Sequence, residues 1–209
     1  MGEDALKQLG QACADEIHAL WPEAPSLLVL GDGNAQRPPL MLVGEAPGEQ
    51  EALQGRPFVG KAGKNLTEFL RAIGLERSAL YISNVVKFRP TQVSAAGRVV
   101  NRPPTRAEIA LFTPWLMREV AIVRPLALVT LGNVALNAFR SQRAVIGDHH
   151  GRWQAVRIEA EGFEPFTVPL FALYHPASVI YNRSLADVYH ADLQTLAETL
   201  SQSGTFMDS

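Results

Sequence analysis

Apolar positions recur at two different spacings along this chain, and the switches between them lay out its elements. Residues 4–20 carry Leu6, Leu9, Ala12 and Ile17 at roughly helical spacing, which predicts an amphipathic helix. Pro39-Leu-Met-Leu-Val43 is a continuous apolar run broken by Gly44, the form of a buried strand opening into a loop. From Ala62 to Ile73 the residues Leu66, Phe69, Leu70 and Ile73 share one helical face, and Gly74 supplies the stop. Ala79 to Val86 reads as a second strand. Thr105-Arg-Ala-Glu108 has the form of a capping box, so a helix is predicted from there to about Val123. Leu126-Ala-Leu-Val-Thr-Leu131 is a third strand, and Gly132-Asn133 opens a helix to Phe139. Phe171 to Tyr174 is a fourth strand, and Leu185 to Leu200 a closing helix.

Strands alternating with helices predict an α/β fold with a doubly wound, mostly parallel sheet of four to five strands and helices on both faces. One domain is expected over residues 1–209, with a helical segment at 1–25 and the core at 30–200. In such sheets ligands bind beyond the carboxyl ends of the strands. Glu45, Asn84, Gly132-Asn133 and His175 each follow an apolar strand. Residues up to 130 positions apart are therefore expected to line one rim.

Composition narrows the class without naming a chemistry. At 47% hydrophobic and 19% charged, the chain has the proportions of a globular protein with ample material for a core. No apolar run approaches the ~18 residues of a membrane span. Glu3 and Asp4 stand where a secretory leader would carry basic and then apolar residues. These features predict a cytoplasmic protein with no membrane partner. The single Cys13 can form no internal disulfide and cannot ligate an iron–sulfur cluster by itself. His149-His150 has no third ligand at useful spacing and reads as a polar turn. No Gly-rich phosphate loop of either standard type is present. The net charge of −2 conceals an asymmetry, because residues 56–118 hold eleven Lys/Arg against three Glu. One face meeting a polyanion would produce that pattern, as would basic residues scattered over several faces.

Four blocks carry the candidate chemistry: Gly44-Glu45-Ala46-Pro47-Gly48-Glu49, Arg56-Pro57-Phe58-Val59-Gly60, Tyr81-Ile82-Ser83-Asn84-Val85-Val86-Lys87 and His175-Pro176-Ala177-Ser178. Taken in this order and at this spacing, they resemble the uracil-DNA glycosylase superfamily, most closely its family 4, from about Leu30 to Leu200. The resemblance implies hydrolysis of the N-glycosidic bond of deoxyuridine in DNA, the first step of base excision repair. It implies uracil-containing DNA as the partner, met by a monomer.

The matching family asparagine pairs with N3–H and O4 of uracil, which makes Asn84 the candidate base reader. Phe58 matches the aromatic that stacks on the flipped ring, and His175 the donor to O2 as charge develops on the leaving base. Gly44 and Ala46 would line the base pocket. Glu45 resembles the acid at the pocket floor and Glu51 a second acid at its mouth; either could orient water or stabilise an oxocarbenium-like sugar. Lys61, Lys64, Lys87 and Ser178 are candidate phosphate contacts, and Val179-Ile180 a candidate wedge at the vacated stack. Read as residues alone, Asn84 could equally serve loop backbone, Phe58 could plug a core, and His175 could be structural.

The departures from the family are informative too. Family 4 holds an iron–sulfur cluster on four cysteines, and two of those places here are Phe88 and Phe112. The expectation is a chain without a cofactor, in which two aromatics fill the cluster's space. Ala46 stands where members with a strong water-activating aspartate carry that residue. A branch that traps DNA covalently uses a histidine near position 101, and this chain has Val99-Val100-Asn101-Arg102 there. Two alternatives stay open: a glycosylase for another deaminated or mismatched base, and a damaged-DNA binder with no turnover.

Overall fold

The computed structural model describes residues 2–23 and 27–202. In chain order the elements are α1 (Gly2–Leu20), β1 (Asp32–Gly33), β2 (Leu40–Gly44), α2 (Glu49–Gln54), α3 (Lys61–Ala72), β3 (Tyr81–Asn84), β4 (Thr91–Val93) and β5 (Val99–Asn101). There follow α4 (Arg106–Val123), β6 (Ala127–Leu131), α5 (Asn133–Ala138), α6 (Ile146–His149), β7 (Trp153–Ile158), β8 (Phe166–Leu173), α7 (Pro176–Tyr181) and α8 (Ala186–Gln202). The main sheet has the order β1-β3-β2-β6-β8-β7. Its four central strands run parallel, and its two edge strands are antiparallel. These edges raise the count to six. β1 is too short to show a period, and Trp153-Gln-Ala-Val-Arg-Ile158 mixes polar and apolar residues as an edge strand does. β4 and β5 form a separate hairpin within the Pro-, Gly- and Arg-rich stretch.

The continuous apolar runs are explained by burial on both faces of the sheet. Successive strand residues point to opposite sides. Met41 and Val43 of β2 join a cluster with Ile17 of α1 and Phe112 and Leu116 of α4. Leu40 and Leu42 turn the other way, toward Leu66 and Leu70 of α3 and Tyr189 and Leu193 of α8. The start of α4 is set as its sequence requires: Thr105 Oγ1 accepts from the Glu108 backbone N–H (3.2 Å), and Glu108 Oε2 accepts from that of Thr105 (2.6 Å).

Phe88 and Phe112 are both buried, their ring centroids 5.7 Å apart, with Trp21 meeting Phe88 edge-on at 5.2 Å. Cys13 lies in the same cluster, and burial pushes its thiol up to about 12. A neutral, enclosed thiol is a poor metal ligand, and three interlocked rings leave no thiolate set around it. The residues present do not fit an iron–sulfur cluster. Among the described residues, no three His, Cys, Asp or Glu side chains are grouped to hold a metal ion. His150 bonds Asp192 of α8 through Nδ1 at 2.8 Å, a tie between a turn and a helix. Among the described residues, no helix is long and apolar enough to cross a membrane.

Candidate active site at the carboxyl edge of the sheet

The pairing register brings the candidate residues together. Gly44 stands opposite Asn84, and Leu131 opposite Leu173. Hydrogen bonds tie the strand ends just beyond: Val85 N–H to Gly44 O (2.9 Å), Val86 N–H to Glu45 O (3.0 Å) and Gly132 N–H to Leu173 O (2.8 Å). The chain therefore leaves four strands at one level. Here a cleft of about 490 Å³ opens, lined by Glu45, Phe58, Asn84 and His175, with Lys61 and Ser178 toward its edge. Asn133, expected at the same rim, is committed elsewhere: its Oδ1 accepts from the Ile146 N–H (2.8 Å) and anchors α6.

Phe58 is held in a backbone conformation that bulky residues avoid, with φ of 52°, at a cost of about 1–3 kcal/mol. The loop around it is gripped from both sides. Glu51 Oε1 accepts from the N–H groups of Val59 (2.9 Å) and Gly60 (2.6 Å), while its Oε2 accepts from Gly48 N–H (3.2 Å). Arg77 donates through Nη1 to Phe58 O (3.1 Å) and through Nη2 to Pro57 O (2.7 Å). Gly63 completes the seat, since a Cβ there would lie 1.8 Å from Phe58 O. The ring thus reaches the cleft at a fixed angle, 5.9 Å from the His175 ring.

Asn84 Oδ1 is buried and has no hydrogen-bond partner among the described residues. A buried acceptor in that state costs about 1–3 kcal/mol and calls for a donor from outside the protein. The direction it faces is given by Gly44. A Cβ at Gly44 would stand 2.5 Å from that oxygen and 2.5 Å from Phe58 Cζ, so only glycine leaves the space between ring and amide open. His175 caps α7, its Nδ1 accepting from Ala177 N–H at 3.2 Å. Burial lowers its pKa, against the opposing pull of the Glu51 charge. The ring is accordingly neutral, with the proton on Nε2, the nitrogen left to serve the cleft.

The two acids differ in their commitments. Glu51 spends both oxygens on backbone, which makes it a positioning group for the Phe58 loop. The Glu45 carboxyl has no side-chain partner among the described residues, and desolvation raises its pKa. A raised carboxyl pKa means the folded state holds the proton more tightly than the unfolded chain. Stability then falls as pH rises from the unfolded value, about 4.3, through the higher folded one, and charged Glu45 destabilises at neutral pH. Glu45→Gln is expected to raise the melting temperature at pH 7. That gain should shrink as pH falls and vanish by about pH 3, where the acid is neutral in both states. Thermal scans across pH check this, and a lower melting temperature at pH 7 would refute it.

Two expected DNA contacts do not hold. Lys87 is only 2% exposed. Its Nζ bonds Glu119 Oε2 (2.6 Å), Ser83 Oγ (2.7 Å) and Asn84 O (2.8 Å), so it is not available to a phosphate. Val179 is 9% exposed and packs with Leu131 and Leu173, so it offers no wedge. Ile180 lies in α7, but its side chain is outside what the structure describes. The basic segment is partly spent internally as well, Arg56 pairing with Asp32, Arg89 with Glu49, Arg102 with Glu108 and Arg118 with Glu161. Lys61 and Lys64 are exposed and make no ion pair among the described residues. Arg77 and Gly63 belong to the site and stand outside the four sequence blocks.

Known proteins are similar to this chain over most of its length. The family model described as the uracil DNA glycosylase superfamily matches residues 30–197. A type-4 uracil-DNA glycosylase of Archaeoglobus fulgidus is 38% identical over 174 residues, covering 81% of this chain and 80% of its own. That of Saccharolobus solfataricus is 33% identical over 186 residues, 87% of this chain and 80% of its own. A type-5 uracil-DNA glycosylase of Pyrobaculum aerophilum is 30% identical over 180 residues, covering 83% and 73%.

Proposed function

The chain belongs to the uracil DNA glycosylase superfamily, and from that premise we propose that it hydrolyses the N-glycosidic bond of deoxyuridine in DNA. It does so as a cytoplasmic monomer on uracil-containing DNA, without a metal or cluster in its chemistry. The observation that carries this reading is the unpartnered Asn84 Oδ1, buried beside Gly44 and Phe58. Uracil brings to that place a ring N–H donor, which cytosine lacks at the same position.

The base must leave the stack to reach the cleft, at a cost of a few kcal/mol. Phe58 receives the ring, and stacking returns roughly 1–3 kcal/mol. As the glycosidic bond breaks, negative charge gathers on uracil O2, and His175 Nε2–H donates to it. A neutral donor in a dry pocket stabilises the departing anion without first giving its proton away. The sugar becomes oxocarbenium-like. Glu45, charged and without a side-chain partner among the described residues, orients the attacking water and offsets the positive charge. Glu51 and Arg77 hold the Phe58 loop while this happens. Lys61, Lys64 and Ser178 are the remaining phosphate contacts.

Asn84→Asp tests the base-reading role. A carboxylate supplies acceptors only, so the amide donor to O4 is lost. Uracil excision is expected to fall roughly 10- to 100-fold, as leaving one buried group unpaired costs about 1–3 kcal/mol. Affinity for undamaged DNA should be unchanged. Excision rates on oligonucleotides carrying one deoxyuridine decide it, and a variant as fast as wild type would show that Asn84 does not read the base.

A further inference from the structure

We propose that the β4–β5 hairpin is the DNA wedge of this protein, its paired Val93 and Val99 pressing on the bases that flank the extruded nucleotide. The proposal rests on the glycosylase reading above and names the surface by which that site opens a duplex. Val93 and Val99 are cross-strand partners and are 71% and 59% exposed. Side chains two apart on a strand share a face, as do directly opposed partners. Thr91, Val93, Val99 and Asn101 therefore lie on one side of the hairpin, with Gln92 and Val100 on the other. Asn101 lines the catalytic cleft. Pro90 and Arg102 line it as well, so the base of the hairpin borders the cleft and the valines project beyond it toward the tip.

The mounting suits a wedge. The base of the hairpin is pinned by Arg89 Nε donating to Asn101 Oδ1 (2.7 Å) and by Arg89 pairing with Glu49 (3.2 Å). Arg102 bonds Thr91 O (3.1 Å) and grips both Glu108 oxygens (2.8 and 2.6 Å). The tip is slim: Ser94-Ala95-Ala96-Gly97 turns on a Ser94 N–H to Arg98 O bond (2.8 Å), with Gly97 at φ of +73°. Two exposed β-branched residues on a fixed arm match the apolar side chains that enter base steps in other minor-groove binders. Charge favours the same occupant. Arg98 at the tip and Lys61 and Lys64 at the start of α3 are exposed and make no ion pair among the described residues. Apolar contact near the cleft with cations around it fits bases inside and phosphates outside.

The test compares wild type with the double variant Val93→Ser, Val99→Ser on two substrates. One is a single strand with one deoxyuridine; the other is a duplex with that deoxyuridine opposite deoxyadenosine and 2-aminopurine beside it. Both valines are exposed, so the variant should melt with the wild type. A single strand has no stack to force open, and its excision should change less than about threefold. Duplex excision should drop on the order of tenfold or more, and the 2-aminopurine fluorescence rise seen with wild type should be lost. Equal effects on both substrates, or undiminished duplex excision, would overturn the wedge. So would sedimentation showing a wild-type dimer that the substitutions dissociate, which would assign the valines to a second copy of the chain. A wild type that excises uracil from neither substrate removes the glycosylase reading and the wedge with it. A wild type active on the duplex beside an unaffected variant removes the wedge alone.

Discussion

His175→Ala is expected to slow base excision by ~10²–10³, equivalent to about 2.7–4 kcal/mol, while affinity for uracil-containing DNA falls little. The donor from Nε2 matters most when charge has reached the leaving base, so its removal acts on the transition state more than on the bound ground state. One structural consequence needs separating. The same ring caps α7 through Nδ1, and loss of a helix cap costs about 1 kcal/mol. His175→Asp keeps an acceptor for the Ala177 N–H and has no donor. It should melt nearer to wild type than the alanine variant and still excise slowly. Single-turnover rates alongside melting temperatures check both variants. Undiminished excision by a stable variant would exclude His175 from the chemistry.

Glu119→Ala is expected to cost 3–5 kcal/mol of folding stability, because it leaves the ammonium of Lys87 buried and unpaired. Lys87→Met should cost a similar amount from the other side. Tyr81 Oη (3.0 Å) and Ser83 Oγ (2.8 Å) also donate to Glu119, so removing both charges should restore only part of the loss. Two hydroxyls would remain without their acceptor. Urea unfolding of the single and double variants measures this. A Lys87 that touched phosphate would behave differently: stability would be unchanged, and the salt dependence of DNA binding would lose about one contact.

The positions of the strands, and hence of the site, were legible because apolar runs end where the sheet ends. Gly44, Asn84 and His175 each follow such a run, and parallel pairing carries them to one rim. The loop-borne parts of the site were legible only through resemblance, as with Phe58. What the side chains do was less accessible. Lys87 sits in a basic segment directly after a site motif, and nothing local distinguishes it from a phosphate contact. Its burial depends on Glu119, which lies 32 residues away. Glu51 read as a possible water-orienting acid because its type fits that role; its three backbone donors become visible only once the chain has turned. Arg77 carries no local signal, since its acceptors are main-chain carbonyls at Pro57 and Phe58. The β4–β5 hairpin was hidden by strands of three residues, too short for a period of two to stand out. Arg157, in β7, broke the apolar pattern because its strand is an edge.

A glycosylase of this kind releases uracil from DNA with turnover. The most direct measurement is free uracil, quantified by mass spectrometry, from a deoxyuridine-containing oligonucleotide in molar excess over the protein. Several equivalents of free uracil per protein molecule are expected, matched by alkali-labile abasic sites and absent with cytosine in the same place. Intact DNA bound without released base would contradict it.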